Sequence, residues 1–456
     1  MATMAEDLAR FVHRTRLADM SEAAVLQLKI RVLDAIGCAL GALEGEPIRR
    51  LRQYVDRMDG APLCTLIGGG RTSPDRAAFL NGALVRYLDF NDSFLARGET
   101  CHPSDNLGAV LAAAEYADRS GAEFLTALAV AYQVQCRLSE VAPVRHKGFD
   151  HTTQGAFAAA AGAARALGLD EARTAHAVAI SGTALPALRV TRTGALSHWK
   201  GLAYPHTGSG ALQAALLAAE GITGPLEVFE GNKGFMDSIA GRFELDWRKE
   251  NLEAVTRTIV KKYNAEIHSQ SVLEGVLELR ALHGFRAPEV DSVELEVFDV
   301  AYHIIGGGEE GDKTRIRTKE EADHSLPYLV AVALLDGQVL PAQYHPERIL
   351  GEDVQDLLRR VRVRPSPAYS TRFPVEMPCR ITVRLKDGRL LETEKRDYEG
   401  FFTRPVTWEG IQGKFLRLVP EAASAELSQA IVAAVERLEK IPVRLLTAML
   451  GKAGQQ

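Results

Sequence analysis

Apolar residues recur at helical spacing through the first fifty positions. Leu8, Phe11 and Val12 are followed by Ala24, Leu26, Leu28, Val32, Leu33, Ile36 and Leu40, the 3.6-residue period of amphipathic helices. Gly37, Gly41 and Gly45 stand four apart, which predicts close helix packing. Ala61 to Ser73 reads as a short extended segment ending in a glycine turn; its GGG lacks the following Lys-Ser/Thr of a phosphate loop. Helices are then predicted over Ala77–Leu88, Ala109–Ala117, Ala122–Glu140, Ala156–Leu167, Glu171–Thr183 and Gly210–Glu220, all rich in alanine and parted by Gly, Pro or polar breaks. Small side chains with little β-branching favour helix and let helices approach closely.

The pattern changes near Ile259. Alternation with period two appears in SVELEVFDVAYHII, RRVRVRP and MPCRITVRLKDGRLLETEKRDY, the last with Lys386, Asp387 and Gly388 as a hairpin turn. An apolar helix is predicted over Ser325–Leu335, and helices resume from Trp408 to Leu450. The expected fold is mainly α. A large helical domain is formed by residues 1–259 and 401–456, with a smaller α+β domain inserted at 260–400. Such an insertion would place two halves of a cleft on different domains.

Composition narrows the function. With 456 residues, 46% hydrophobic and 25% charged, the chain has ample length for a large core. A net charge of −5 gives no footprint for nucleic acid or an anionic membrane. No run reaches the roughly 18 apolar residues of a membrane helix, and the N-terminus lacks the apolar core of a signal peptide, so a cytoplasmic location is expected. The five cysteines are scattered with no C-x-x-C pair, which argues against a zinc ribbon or a cysteine-held iron–sulfur cluster.

Candidate chemistry gathers in five polar clusters, four leading into a helix and one at the domain junction. The densest is Arg86 to Glu115, holding Asp89, Asn91, Asp92, His102, Ser104, Asp105 and Asn106 ahead of an apolar run. Pro103 suits an early helical position there, and Ser104 or Asp105 a cap. His102 with Asp92 and Asp105 could also hold a divalent metal. Cys101 adjoins His102, but neighbouring side chains seldom face each other. The second cluster carries His146, Asp150, His151, Thr152, Thr153 and Gln154, where either threonine is a fair N-cap. The third carries His198, Lys200, Tyr204, His206 and Ser209; Lys200 is an anion binder or a solvated cation. The fourth carries Lys261, Lys262, Tyr263, Asn264, Glu266, His268, Ser269 and Gln270, which suit a carboxylate substrate or a salt-bridge network. The fifth carries Asp323, His324, Ser325 and Tyr328, with Lys313, Arg315 and Arg317 upstream as carboxylate forks. No H-E-x-x-H, G-x-S-x-G or Rossmann fingerprint occurs. Histidines, cations and carboxylates without a nucleophile or cofactor motif suit proton transfer beside a carboxylate, as in a cofactor-independent lyase or isomerase.

RYLDFNDSF with HPSDNLGAVLAAAE, then FDHTTQGAFAAAAGAARALGL, WKGLAYP, GITGPLEVFEGNKGF, YNAEIHSQS, and DKT with ADHSLPYLVAVALLDG resemble, in order, the signatures of the MmgE/PrpD family. The resemblance runs from about Arg86 to Gly337. It implies an α+β lid on a helical body, a homodimer, a tricarboxylate-type substrate, and neither metal nor other cofactor. Family pocket residues fall on Asp92, His102, His151, Lys200, Lys261 and Tyr328, with Ser104, Glu266, His268, Gln270 and Arg317 as further substrate-binding candidates. Decarboxylase-like members tend to carry histidine where Glu266 stands and threonine near Ala96. AEIHSQ and HPSDNLG resemble the 2-methylcitrate dehydratases instead. The activity implied is dehydration of 2-methylcitrate, or a similar tricarboxylate such as citrate, to 2-methylaconitate. Decarboxylation of cis-aconitate and epimerisation of iminodisuccinate are the alternatives. In this reading His102, oriented by Asp92, transfers the proton with His151 as partner acid, or the reverse.

Overall fold

The computed structural model describes residues 2–194 and 196–454. Helices take up 58% of the chain and strands 9%, so the fold is mainly α. Two compact units are present. One comprises Met1–Arg192, Trp199–Val260 and Thr407–Gln456, and the other Thr193–His198 and Lys261–Val406. Among the described residues no helix is long and apolar enough to cross a membrane, and all five cysteines are buried free thiols.

The first unit is built on helices Pro74–Tyr87, Leu107–Tyr116, Gly121–Val141, Thr152–Leu167 and Trp199–Ala219, packed on one another. Alanine and glycine make the close approach possible. A Cβ on Gly108 would lie 2.6 Å from the backbone nitrogen of Gly82, so two helices cross there backbone to backbone. Helix Glu22–Gly41 offers Gly37 and Gly41 to Phe415 and Leu418 of helix Trp408–Leu418, which docks the C-terminal segment on the same unit. Lys414 ties that docking to the polar stretch: its Nζ lies 2.6 Å from Asp34 Oδ1 and donates to the Phe90 carbonyl at 2.7 Å.

Three elements differ from their sequence expectation. Helix Trp199–Ala219 begins eleven residues before Gly210 and runs through Pro205. Proline normally breaks a helix by crowding the preceding turn and removing a donor. Here the helix nevertheless continues, and Pro205 packs against Gly82 of the neighbouring helix at ordinary contact distance. Within the Arg86–Glu115 stretch, Phe94–Ala96 and Glu99–Cys101 pair as a hairpin around Gly98, at φ 91°. Neither Thr152 nor Thr153 is the N-cap of helix Thr152–Leu167. Asp150 Oδ1 accepts the Thr152 N–H at 3.1 Å, and Thr153 Oγ1 instead accepts the Ala187 N–H at 3.0 Å.

In the second unit the sheet order is Val361–Pro365, Val290–Val297, Cys379–Leu385, Leu390–Lys395. The first pair is parallel and the other two antiparallel, with Val293 opposite Val361 and Val383, and Val383 opposite Leu391. The parallel pair needs a crossover, which contains the helix Leu326–Asp336. Helix Gln270–His283 packs on the sheet with Gly275 against Ile381. The alternation in SVELEVFDVAYHII ends at Val297; Asp299–Ile305 is a helix.

Candidate active site

The Arg86–Glu115 stretch folds inward. Asp89 adopts φ 53°, a left-handed conformation that aspartate tolerates. Its carboxylate joins two buried cations, Arg86 Nη1 at 2.6 Å and Lys200 Nζ at 3.3 Å. Pro103 opens a short 3₁₀ turn, Pro103–Asn106, that runs into helix Leu107–Tyr116. Ser104 and Asp105 do not cap this helix; they are held by Asn91, whose Nδ2 donates to Ser104 Oγ and to Asp105 Oδ1, both at 2.8 Å.

His102 is oriented by a backbone group. Its Nδ1 lies 2.8 Å from the Asp92 carbonyl oxygen and 3.0 Å from Ser93 Oγ. A carbonyl only accepts, so Nδ1 carries the proton and the neutral ring has its lone pair on Nε2. The Asp92 carboxylate turns elsewhere and accepts the Ser104 N–H at 3.0 Å. The expected orientation of His102 by Asp92 therefore runs through the main chain.

His151 lies beside it, ring centroids 5.5 Å apart and edge to face. Asp150 Oδ1 is 3.2 Å from His151 Nδ1, while Asp150 Oδ2 accepts Arg192 Nε at 2.6 Å. The carboxylate favours the proton on Nδ1, and Nε2 is a buried lone pair with no hydrogen-bond partner among the described residues. On the other side of His151 the Tyr204 ring stacks at 6.1 Å. Gly155 leaves space for that ring, and the Tyr204 hydroxyl donates to Asn106 Oδ1 at 2.9 Å.

Burial dominates the titration of this cluster. It pushes His151 down to about 3, with Arg192 and Arg86 adding to the effect and Asp150 opposing it. Burial would raise Asp150, but Arg192 and His151 overcome it and hold that carboxyl below the usual range. Burial raises Asp92 and carries Asp105 up to about 7 despite Arg86 Nε at 3.6 Å. Burial and the charges of Arg192 and Arg86 thus favour the neutral ring of His151, with its lone pair on Nε2.

The remaining candidates lie in the second unit. Glu266 Oε1 contacts His268 Nδ1 at 2.7 Å and Oε2 accepts the His268 N–H at 2.7 Å. Burial would raise Glu266, but His268, His324 and Lys261 bring it to about 2. His268 Nε2 is buried without a hydrogen-bond partner among the described residues. Gln270 uses its amide on the main chain, accepting from Lys262 N at 2.9 Å and Tyr263 N at 3.0 Å and donating to the Tyr263 carbonyl at 3.0 Å. The Tyr328 hydroxyl donates to the Gln343 carbonyl. Lys261 is buried, whereas Arg317 is exposed.

Asp92, His102, Ser104, His151 and Lys200 therefore fall in one unit, and Lys261, Glu266, His268, Gln270, Arg317 and Tyr328 in the other. Sequence reasoning gave no role to Arg86, Asp150 or Arg192. Asp150 had a signal, since it immediately precedes His151 at a helix start. Arg192 had none: it stands 42 residues from its partner Asp150 and belongs to no polar cluster.

The MmgE/PrpD N-terminal domain matches residues 6–248 and the MmgE/PrpD C-terminal domain residues 263–440. The chain belongs to the MmgE/PrpD family. Among its relatives, cis-aconitate decarboxylase of Mus musculus is 24% identical, over 97% of this chain and 92% of the relative. The 2-methylcitrate dehydratase of Cupriavidus necator is 29% identical over 90% of each chain. The 2-methylcitrate dehydratase of Escherichia coli K12 is 28% identical over 75% of this chain and 74% of the relative.

Proposed function

We propose that this MmgE/PrpD member is a lyase that dehydrates 2-methylcitrate, or a similar tricarboxylate such as citrate, to the corresponding alkene by general acid/base catalysis. The observation that carries this is the buried pair of imidazoles, each anchored through Nδ1, with the charges of Arg86 and Arg192 acting on His151 and Lys200 paired with Arg86 through Asp89. Dehydration takes a proton from the carbon next to a carboxylate and gives one to the departing hydroxyl. Burial of His151 disfavours its imidazolium, which suits Nε2 to the base role; the negative charge of a bound polycarboxylate raises its proton affinity at the moment it is needed. His102 is then the acid: it enters the step as the imidazolium, with Nδ1–H held by the Asp92 carbonyl and the proton on Nε2 the one transferred. The C–H proton goes to His151, the C–O bond breaks, and the hydroxyl leaves as water with the proton from His102. Cations beside the site stabilise the charge that develops on the substrate carboxylate. Lys261, Glu266, His268, Gln270, Arg317, Ser104 and Tyr328 are assigned to substrate binding on the family resemblance and on residue type.

A second reading, decarboxylation of cis-aconitate, is supported by the relative of that name, which aligns over 97% of the chain. Purified protein incubated with 2-methylcitrate, citrate and cis-aconitate separates the two: an alkene product supports dehydration, and CO₂ from cis-aconitate supports decarboxylation. Isomerised polycarboxylate with neither product would support an epimerase. Since no metal is invoked, chelator-treated enzyme is expected to keep its rate, and loss of activity would overturn that part. His102→Ala is expected to lower kcat by about 10² or more, the usual worth of a positioned proton-transfer group; near-normal turnover would sink the assignment. The homodimer implied by the family is checked by light scattering, where a monomer would contradict it.

A further inference from the structure

Arg192 is not among the family's pocket residues and enters the mechanism above only as a nearby charge, with no contact to substrate assigned to it. Two main-chain hydrogen bonds, Asp150 N to the Ala187 carbonyl at 2.8 Å and Arg189 N to the Gly148 carbonyl at 2.9 Å, join the segment before His151 to the one before Arg192. A 3₁₀ turn, Arg189–Arg192, then delivers the guanidinium. Its Nε donates to Asp150 Oδ2 at 2.6 Å and its Nη1 to the Lys200 carbonyl at 3.3 Å. Arg192 is only 8% exposed, and its Nη2 has no hydrogen-bond partner among the described residues.

A buried guanidinium nitrogen without an acceptor is costly, because the donor has lost its water and gained nothing. The same holds for His151 Nε2, and the two orphaned atoms belong to side chains gripped by one carboxylate, Asp150. Asp150 therefore fixes a hydrogen-bond donor and a proton acceptor in constant relation, with the outer atom of each unsatisfied. An acceptor that also carries a transferable proton nearby completes both, which describes a carboxylate with its adjacent C–H. Asp150 neutralises one positive charge, but the planar fork still presents a directed N–H to an incoming oxygen.

We propose that Arg192 is a substrate-binding residue, whose Nη2 receives the carboxylate adjacent to the carbon that loses its proton. The proposal rests on the reading of this chain as a polycarboxylate lyase. Lysine at this position keeps the charge beside Asp150 but has no third nitrogen to offer.

The test is citrate and 2-methylcitrate binding by calorimetry, with KM and kcat for 2-methylcitrate, on wild type, R192K and the neutral double variant D150N/R192M. The double variant leaves no buried charge uncompensated if the single change fails to fold. A hydrogen bond to a charged group is worth roughly tenfold or more in affinity. Both variants are therefore expected to bind citrate at least about tenfold more weakly, and R192K to show this in KM more than in kcat. Folded R192K with wild-type affinity and KM overturns the proposal and leaves the lyase reading intact. Wild type that neither binds nor converts any polycarboxylate overturns the lyase reading and this proposal with it. Loss of fold in both variants assigns Arg192 to the framework and also overturns it.

Discussion

Asp105 offers a direct check on the electrostatics of the buried cluster. It is 2% exposed, accepts one amide hydrogen bond from Asn91, and lies 3.6 Å from Arg86 Nε, while its Oδ2 has no hydrogen-bond partner among the described residues. Burial lifts its pKa from 3.8 to about 7, only partly offset by Arg86, Arg192 and Asn91. A folded-state pKa above the unfolded value means that the folded protein holds the proton more tightly. Stability is therefore full below the unfolded value, falls as pH rises toward 7, and is flat beyond. A shift of about three units corresponds to about 4 kcal/mol at pH 8. Asp105→Asn keeps the size and the acceptor for Asn91 but removes the charge. The variant is expected to be more stable than wild type, with an advantage that grows by about 2 kcal/mol between about pH 5.5 and pH 8. Urea unfolding at the two pH values, followed by tryptophan fluorescence, reads the difference. A variant less stable than wild type by the same margin at both values would refute the reasoning. It would mean that Asp105 is ionised throughout and is stabilised by Arg86.

Asp150→Asn removes the partner of a buried arginine and the group that fixes His151. It is expected to cost about 3 kcal/mol or more of stability and to lower kcat by about 10²; lowered stability with kcat near wild type would confine Asp150 to the framework. Tyr328→Phe leaves the Gln343 carbonyl without its donor, a loss of about 1 kcal/mol or more. On the substrate-binding role it also lowers kcat/KM for 2-methylcitrate, and an unchanged kcat/KM with a lower melting temperature would refute that role.

The mainly α class was legible because alanine spacing reports helix period directly, and the hairpin Cys379–Leu385 and Leu390–Lys395 because strict alternation surrounds an Asp-Gly turn. The polar clusters were visible as interruptions of that pattern. What joins them was not. Phe94–Ala96 and Glu99–Cys101 are too short to show alternation. Pro205 reads as a breaker, yet helix Trp199–Ala219 continues through it. The sequence names Asp92 beside His102 without saying that the contact is made by its carbonyl while its carboxylate serves Ser104. Arg192 meets Asp150 only because two main-chain hydrogen bonds knit distant loops together.

The central claim is that His102 and His151 exchange protons with a polycarboxylate. Proton NMR of 2-methylcitrate with the enzyme in deuterated water tests it most directly, reporting both the product and the carbon at which hydrogen is exchanged. Appearance of the 2-methylaconitate signals at the expense of 2-methylcitrate, abolished in His102→Ala, is the predicted result. No change in the spectrum of any polycarboxylate offered, or equal turnover by the variant, would contradict it.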